Sequence, residues 1–217
     1  MKTALIIGAS GGIGSAISDQ LVRRGVQVRR LSRRDDGLDV TDPASVERHI
    51  GQIAHQFDLV LVAVGILGDP EKSLSAIKAA EMADVIAVNA IGPALILRHL
   101  PDLLPRREPG VCAVLSARVG SIGDNQIGGW HSYRASKSAL NQIVKGAAIE
   151  MARTHKQSTV VALHPGTVAT DFTARYAGRH KTVPAAQAAK NLLGVIDALA
   201  PADTGRFLDY AGREIDW

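Results

Sequence analysis

Residues 3–7, Thr-Ala-Leu-Ile-Ile, form an unbroken apolar run that ends directly in Gly8-Ala9-Ser10-Gly11-Gly12-Ile13-Gly14. A continuous run with β-branched members is the pattern of a strand buried on both faces, as parallel sheets require. Ile13, Ile17, Leu21 and Val22 follow at helical spacing, and Gly25 stops them. A buried strand, a glycine turn and a helix in immediate succession commit the chain to layers of helices on a sheet. Glycines at 8, 12 and 14 permit a tight turn and a close backbone approach. The helix start then offers orphan N–H groups and a favourable dipole to an anion such as a pyrophosphate.

The remaining sequence repeats that alternation. Strands are predicted over residues 26–31, in a short segment ending near Leu38, and over 59–64, which ends at Gly65. Further strands are predicted over 111–115, 159–163 and 206–208. Asp42-Pro43 opens a helix, with Asp42 as N-cap and Pro43 at the first helical position. Residues 74 to 104 read as helical with an interruption at Gly92-Pro93, and 133–154 and 184–199 are further helices. The expectation is an α/β fold: one doubly wound Rossmann domain over 1–217, with a mostly or wholly parallel sheet of about seven strands. A length of 217 residues suits one domain with a sizeable core.

Composition narrows the class further. No apolar run approaches the ~20 residues that span a bilayer, so no membrane partner is expected. The first seven residues are too short for a secretory signal. One cysteine, Cys112, excludes an internal disulfide framework and any multi-cysteine metal site; no metal is expected, and the cytoplasm follows by default. Net charge is only +4, but Arg23, Arg24, Arg29, Arg30, Arg33 and Arg34 fall within twelve positions. Aromatic residues make up 4% of the chain and none lies in this cluster, so a stacking surface for single-stranded nucleic acid is not supported. No nucleic-acid partner is expected.

Tyr133-Arg134-Ala135-Ser136-Lys137 stands at the start of an apolar-periodic helix. A tyrosine and a lysine four positions apart share a helix face. At an effective dielectric near 20, charges ~4 Å apart interact by roughly 4 kcal/mol. At about 1.4 kcal/mol per pKa unit, that would bring a phenol down from about 10 towards 7. Such a tyrosine suits general acid–base work, although by itself the pair is also an ordinary exposed helix pair.

The Gly8, Gly12 and Gly14 turn, taken together with Tyr133 and Lys137, resembles the short-chain dehydrogenase/reductase family. Asp39-Val40, Asn89 in Val88-Asn89-Ala90, and Pro165-Gly166-Thr167-Val168 with Thr170 match in order, so the resemblance covers almost the whole chain. Residues 120–125 and 132–137 look like the carbonyl-reductase and C-factor-like branch. The resemblance implies that Tyr133 exchanges a proton with the carbonyl or hydroxyl oxygen. Lys137 would hold the nicotinamide ribose and lower the tyrosine's pKa, and Asn89 would keep a water linking Lys137 to solvent. It also implies that the cofactor meets Gly8, Ser10, Gly11, Gly12, Ile13 and Gly14. Further contacts would come from Asp39 and Val40 at the adenine, Ala63, Val64 and Gly65 at the strand end, and Pro165, Gly166, Val168 and Thr170 at the carboxamide.

At the end of the second strand an acid would select NAD(H), by bonding the ribose hydroxyls and repelling a phosphate. This chain has Ser32-Arg33-Arg34 there, and a hydroxyl plus a guanidinium suits a 2′-phosphate. NADP(H) is therefore favoured and NAD(H) remains possible, because Asp35 and Asp36 follow and can pair with the arginines. Arg23, Arg24 and Arg30 read as solvated surface.

The chain departs from the family pattern twice. Val62-Ala63-Val64-Gly65 lacks the family's asparagines. More seriously, Ala117 stands where the family has its catalytic serine. Ser116 is the slightly preferred substitute, although one step along a strand reverses the face. Ser121, Ser132 and Arg118 are alternatives. Losing a preorganised oxyanion donor costs about 100- to 1000-fold in rate.

Around this site, Trp130 and His131 are candidates for the pocket rim, and His164 reads as a core or supporting histidine. Between Thr170 and Pro184, Phe172 and Tyr176 offer apolar contacts and Arg175 and Arg179 hint at an anionic substrate. The leading expectation is an NADP(H)-dependent oxidoreductase that interconverts a carbonyl and an alcohol on a small molecule. The alternative is a nucleotide-binding regulatory or signalling protein with weak or no turnover. A homodimer or homotetramer is implied by resemblance.

Overall fold

A computed structural model of the chain describes residues 1–174 and 182–217. Strand β1 (Thr3–Ile7) passes through the glycine turn into helix α1 (Gly12–Arg23), then β2 (Gln27–Leu31). A single turn, α2 (Arg33–Asp36), and α3 (Pro43–Val46) precede β3 (Leu59–Val62). Helix α4 (Ala79–Ile86) runs through a wide turn at Ala87–Ile91 into α5 (Gly92–Leu97) and α6 (Leu100–Leu103). Then follow β4 (Gly110–Leu115), the long α7 (His131–Thr154), β5 (Ser158–His164), β6 (Val168–Ala169), β7 (Val183–Pro184), α8 (Ala185–Ala198) and β8 (Phe207–Asp209).

The main sheet has six strands, all parallel, in the order β2-β1-β3-β4-β5-β8. The chain moves outward from β1 to β2 and returns on the other side as β3. That reversal opens a crevice beyond the carboxyl ends of β1 and β3, where open α/β sheets bind ligands. Period-two alternation builds two cores from the same strands. Leu5, Ile7, Val60, Val62, Cys112 and Val114 meet Ile96, Leu140, Val144 and Met151 on one face. Ala4, Ile6, Leu59, Leu61, Ala113 and Leu115 meet Ile17, Leu21, Leu192 and Ile196 on the other. Burial pushes the Cys112 thiol up to about 12, so it stays protonated within the first core.

Three expectations are corrected, and one small sheet is added. The short strand near Leu38 does not form. The Ser32 side chain accepts from the Asp35 N–H and caps α2, and Gly37 turns back in the left-handed region at φ 74. A local hydroxyl cap satisfies backbone that a strand would have left to a neighbour. The interruption of the α4–α5 segment falls before Gly92-Pro93, at the wide turn Ala87–Ile91. Pro93 cannot donate to the carbonyl four residues back, and the widened turn ahead of it meets that loss. The two-stranded sheet of β6 and β7, pairing Val168 with Val183, was too short to show any periodicity. Finally, one stretch, Ala79–Leu97, is long and apolar enough to cross a membrane by length and composition, with a hydropathy of 1.5. The core helix of a soluble protein meets the same measure, and here the stretch packs against α7. Asp42 does cap α3 through Ala44 N–H, with Pro43 in its first turn.

Candidate active site

The glycine turn is shaped by close approaches. Gly8 has φ +88, and a Cβ there would stand 2.4 Å from the Ala63 carbonyl oxygen. A Cβ on Gly14 would stand 2.4 Å from the Gly8 oxygen, and one on Gly12 would stand 2.5 Å from the Thr170 methyl. Only glycine fits these places. Gly11 is the N-cap of α1 without a side-chain cap, and the first turn holds no acid. Its N–H groups and dipole are thus left for an anion. Ser10 lies in this turn, and Ile13 packs against the second core. Ala63, bonded through its N–H to the Ile7 carbonyl at 2.7 Å, faces Gly8, and Val64 and Gly65 follow it out of the sheet.

Gly65 links this cradle to α7. A Cβ on it would meet Asn89 Oδ1 at 3.2 Å and Lys137 Nζ at 3.5 Å. Asn89 is fully buried and held three ways. Its Oδ1 accepts from Ile66 N–H at 2.7 Å, and its Nδ2 donates to the Ile66 carbonyl at 2.8 Å and to Ser136 Oγ at 3.0 Å. The side chain therefore fixes the strand exit to the face of α7 that carries Tyr133.

Tyr133 and Lys137 are both buried, 7% and 3% exposed. Lys137 Nζ lies 6.0 Å from the Tyr133 ring centroid and donates to the Leu115 carbonyl at 3.1 Å. Burial lowers the Lys137 ammonium to about 8 and pushes the Tyr133 phenol above its ordinary range. This reverses the direction expected from charge attraction alone. Desolvation disfavours the phenolate and outweighs the attraction of the ammonium. Tyr133 also sits between two rings, with Trp130 at 6.2 Å and Phe172 at 6.0 Å.

The expectation for Ser116 does not hold. Alternation places Ser116 on the same face as Cys112 and Val114, toward α7. There its hydroxyl donates to Asn141 Oδ1 at 2.6 Å. Asn141 follows Tyr133 by eight residues, about 12 Å along the helix axis. The alternatives are engaged as well. Ser121 Oγ accepts from Asp124 N–H at 3.0 Å, and the Ser132 hydroxyl donates a hydrogen bond to the Glu71 carboxylate. Arg118 pairs with Asp124 at 3.2 Å.

At the nucleotide-selecting end, Ser32 is buried and its hydroxyl faces Asp35 at 3.1 Å. Asp35 pairs with Arg34 at 2.8 Å, whereas Arg33 is exposed and forms no ion pair among the described residues. Arg24 and Arg30 are spent on surface pairs with Asp197 and Asp19. Asp39 Oδ1 accepts from both the Thr41 N–H and its hydroxyl, and Val40 packs on Gly92. Both side chains are occupied internally, and the Asp39 backbone is engaged as well, its N–H donating to Ser45 Oγ at 3.0 Å and its carbonyl accepting from Asp42 N–H at 3.3 Å.

Beyond Gly65, a cleft of roughly 310 Å³ is lined by Ile66, Leu67, Gly68, Asp171 and Phe172. Pro165 and Gly166 turn the chain from β5 to β6, and Gly166 at φ +77 lies under the Tyr210 ring. Val168 is buried in β6, and Thr170 continues toward Gly12. His164 is held down to about 4 by burial and lies 6.5 Å from the Tyr210 ring, a neutral supporting group. Arg175, Tyr176 and Arg179 fall outside the described residues. No group of three or more metal-ligating side chains stands together among the described residues. One residue escaped sequence reasoning: Glu71, buried beside the start of α7. An acid in a loop carries no periodic signal.

The model of the short chain dehydrogenase family matches residues 2–181. A 1-hydroxy-2-glutathionyl-2-methyl-3-butene dehydrogenase of Rhodococcus sp. (strain AD45) is 32% identical over 232 residues, covering all of both chains. C-signal of Myxococcus xanthus is 38% identical over 141 residues, 64% of this chain and 80% of that protein. A carbonyl reductase from Pseudomonas aeruginosa PAO1, solved in complex with NADP, superposes with a TM-score of 0.82 at 26% identity over both whole chains. The chain belongs to the short-chain dehydrogenase/reductase family of oxidoreductases.

Proposed function

We propose that the protein is an NADP(H)-dependent oxidoreductase that interconverts a carbonyl and an alcohol on a small organic substrate, with residues 1–217 acting as one domain. The observation that carries this reading is the buried Tyr133–Lys137 pair, joined through Gly65 to the glycine cradle. The cradle suits a dinucleotide: bare N–H groups at the start of α1 and three places that a Cβ would fill. Arg33, exposed and unpaired among the described residues, supports the 2′-phosphate and hence NADP(H) over NAD(H). The NADP in the Pseudomonas carbonyl reductase supports the same choice.

When bound, the reduced nicotinamide supplies the hydride. The chain's own part is proton delivery and shape. Burial keeps the Tyr133 phenol protonated at neutral pH, the form that donates to a carbonyl oxygen as charge develops there. Lys137 remains largely charged below about 8 and places a cation on the cofactor side of Tyr133. Asn89 keeps the strand exit and Ser136 in register with it. Ile66, Leu67 and Phe172 give the open cleft an apolar wall for the substrate to rest on. With Ala117 in place of a hydroxyl donor, the oxyanion depends on Tyr133, and turnover is slow for the fold.

The test is NADPH consumption with a panel of aldehydes and quinones. Wild type should turn over, and Tyr133→Phe should lose at least about 100-fold, the scale of a positioned acid. Equal rates in the two would end this reading. Ala117, together with the similarity to C-signal, favours a second reading: a nucleotide-binding signalling protein without turnover. NADPH binding by titration, with no substrate consumed, is its signature.

A homo-oligomer completes the proposal. Ala135, Gln142, Gly146 and Ile149 form an exposed stripe at helical spacing on α7, suited to a second copy of the chain. A cytoplasmic location belongs to the same proposal, and cell fractionation checks it.

A further inference from the structure

Three consecutive residues, Gly128, Gly129 and Trp130, are left-handed at φ +66, +62 and +53. For two glycines this is ordinary, but for a tryptophan it is strained, and strain persists only where the surroundings hold it. The surroundings are visible. Trp130 N–H donates to the Glu71 carbonyl at 2.6 Å, and a Cβ on Gly129 would stand 3.3 Å from that same oxygen. From the other side, Arg134 Nε donates to the Gly128 and Gly129 carbonyls at 3.3 and 3.0 Å. The Glu71 side chain, only 5% exposed, then turns onto the first turn of α7. Its two oxygens accept from Ser132 N–H at 3.3 and 3.2 Å, and one also accepts the Ser132 hydroxyl. Trp130 makes no side-chain cap, so Glu71 satisfies an orphan helix-start N–H from 61 residues away in sequence.

The segment that carries Glu71 begins at the cleft. Ile66, Leu67 and Gly68 line it, and Ile66 is bonded on both its N–H and its carbonyl to Asn89, which in turn donates to Ser136. One loop is therefore tied to α7 at two points, Ser132 and Ser136, which flank Tyr133. We propose that Glu71 is a positioning residue: through Ser132 and the Trp130 backbone it sets the first turn of α7, and so the direction of the Tyr133 phenol, while making the cleft-lining loop and that turn one rigid piece. This rests on Tyr133 being the proton donor. An uncapped first turn frays, and a fraying turn swings the phenol away from a bound carbonyl. Cofactor binding, which uses the cradle at α1, is untouched.

The test compares wild type, Glu71→Ala, Glu71→Gln and Ser132→Ala with NADPH, using the carbonyl substrate that the aldehyde and quinone panel identifies. Gln keeps one acceptor oxygen for Ser132, whereas Ala keeps none. In Glu71→Ala, kcat should fall about 10- to 100-fold, the penalty of a misplacement near 1 Å, with NADPH affinity within about threefold of wild type. Glu71→Gln should recover most of that loss. Amide exchange at Ser132 should quicken about tenfold or more in Glu71→Ala and much less in Glu71→Gln. Unchanged exchange at Ser132 in Glu71→Ala overturns the clamp. So does a kcat that stays at wild type, or a loss of NADPH affinity as large as the loss of kcat. Should Tyr133→Phe turn over like wild type, the proton-donor reading fails instead, and the exchange result still reports on the clamp.

Discussion

Lys137 is the residue whose charge is held at greatest cost. Its ammonium is buried and drops from 10.5 to about 8, while among the described residues its one hydrogen-bond partner is the Leu115 carbonyl. Between those two values the unfolded chain binds more protons than the folded one, so stability rises with pH through that window. Below about 8 the full penalty applies, of order 3 kcal/mol at about 1.4 kcal/mol per unit, less about 1 for the carbonyl bond. Lys137→Met should therefore stabilise the protein by about 1–2 kcal/mol at pH 7 in urea unfolding. The gain should shrink as pH rises from 8 to 10, and reductase activity should be lost. A mutant less stable than wild type at pH 7 contradicts this. Arg33 carries the second prediction at this scale. Arg33→Ala should weaken NADPH binding about 10- to 100-fold, the worth of a charge-assisted bond, and leave NADH unaffected. Titration with both nucleotides decides it.

The decisive element for the site is the α4–α5 segment with its wide turn at Ala87–Ile91. The turn presents the buried Asn89 to the strand exit, where the amide serves Ile66 and Ser136. An Asn89→Ala chain leaves the Ile66 N–H and carbonyl without that partner. Unfolding in denaturant should show a loss of about 2–3 kcal/mol, the price of orphaned polar groups. The cleft wall at Ile66 should loosen with it, raising KM as well as lowering kcat. A loss under about 0.5 kcal/mol would mean that the bend, rather than the amide, holds the exit. Helix α7 contributes differently. Its face repeats Tyr133, Lys137 and Asn141 every four residues, so phenol, cation and the partner of Ser116 line up along one stripe.

For the whole molecule, the sheet order fixes where everything meets. Reversal between β1 and β3 opens the crevice, and the glycine turn, Gly65, Asn89 and α7 converge on its rim. The outer side of α7 then faces solvent with Ile149 52% exposed. If this face joins two copies, Ile149→Arg should shift the protein to monomer in sedimentation or light scattering, because a charge in an apolar contact has no partner. Wild type should run as a dimer or tetramer. A wild-type monomer removes the oligomer from the proposal.

Much of this was legible in order along the chain. The apolar run at 3–7, the glycines at 8, 12 and 14 and the spacing of Tyr133 and Lys137 come from periods and turn chemistry, which are local. They determined the layer architecture, the glycine turn and the placing of Tyr133 and Lys137 on one helix face. Local patterns misjudged Leu38, where the Ser32 cap won over a strand, and Ser116, where the pleat turned the hydroxyl toward Asn141. Tertiary structure alone decided the rest. Burial raised the Tyr133 phenol although its lysine neighbour suggested the reverse, and Glu71 came to cap a helix 61 residues away. Desolvation and long-range partners depend on what surrounds a group in space, and a period along the chain carries no record of that.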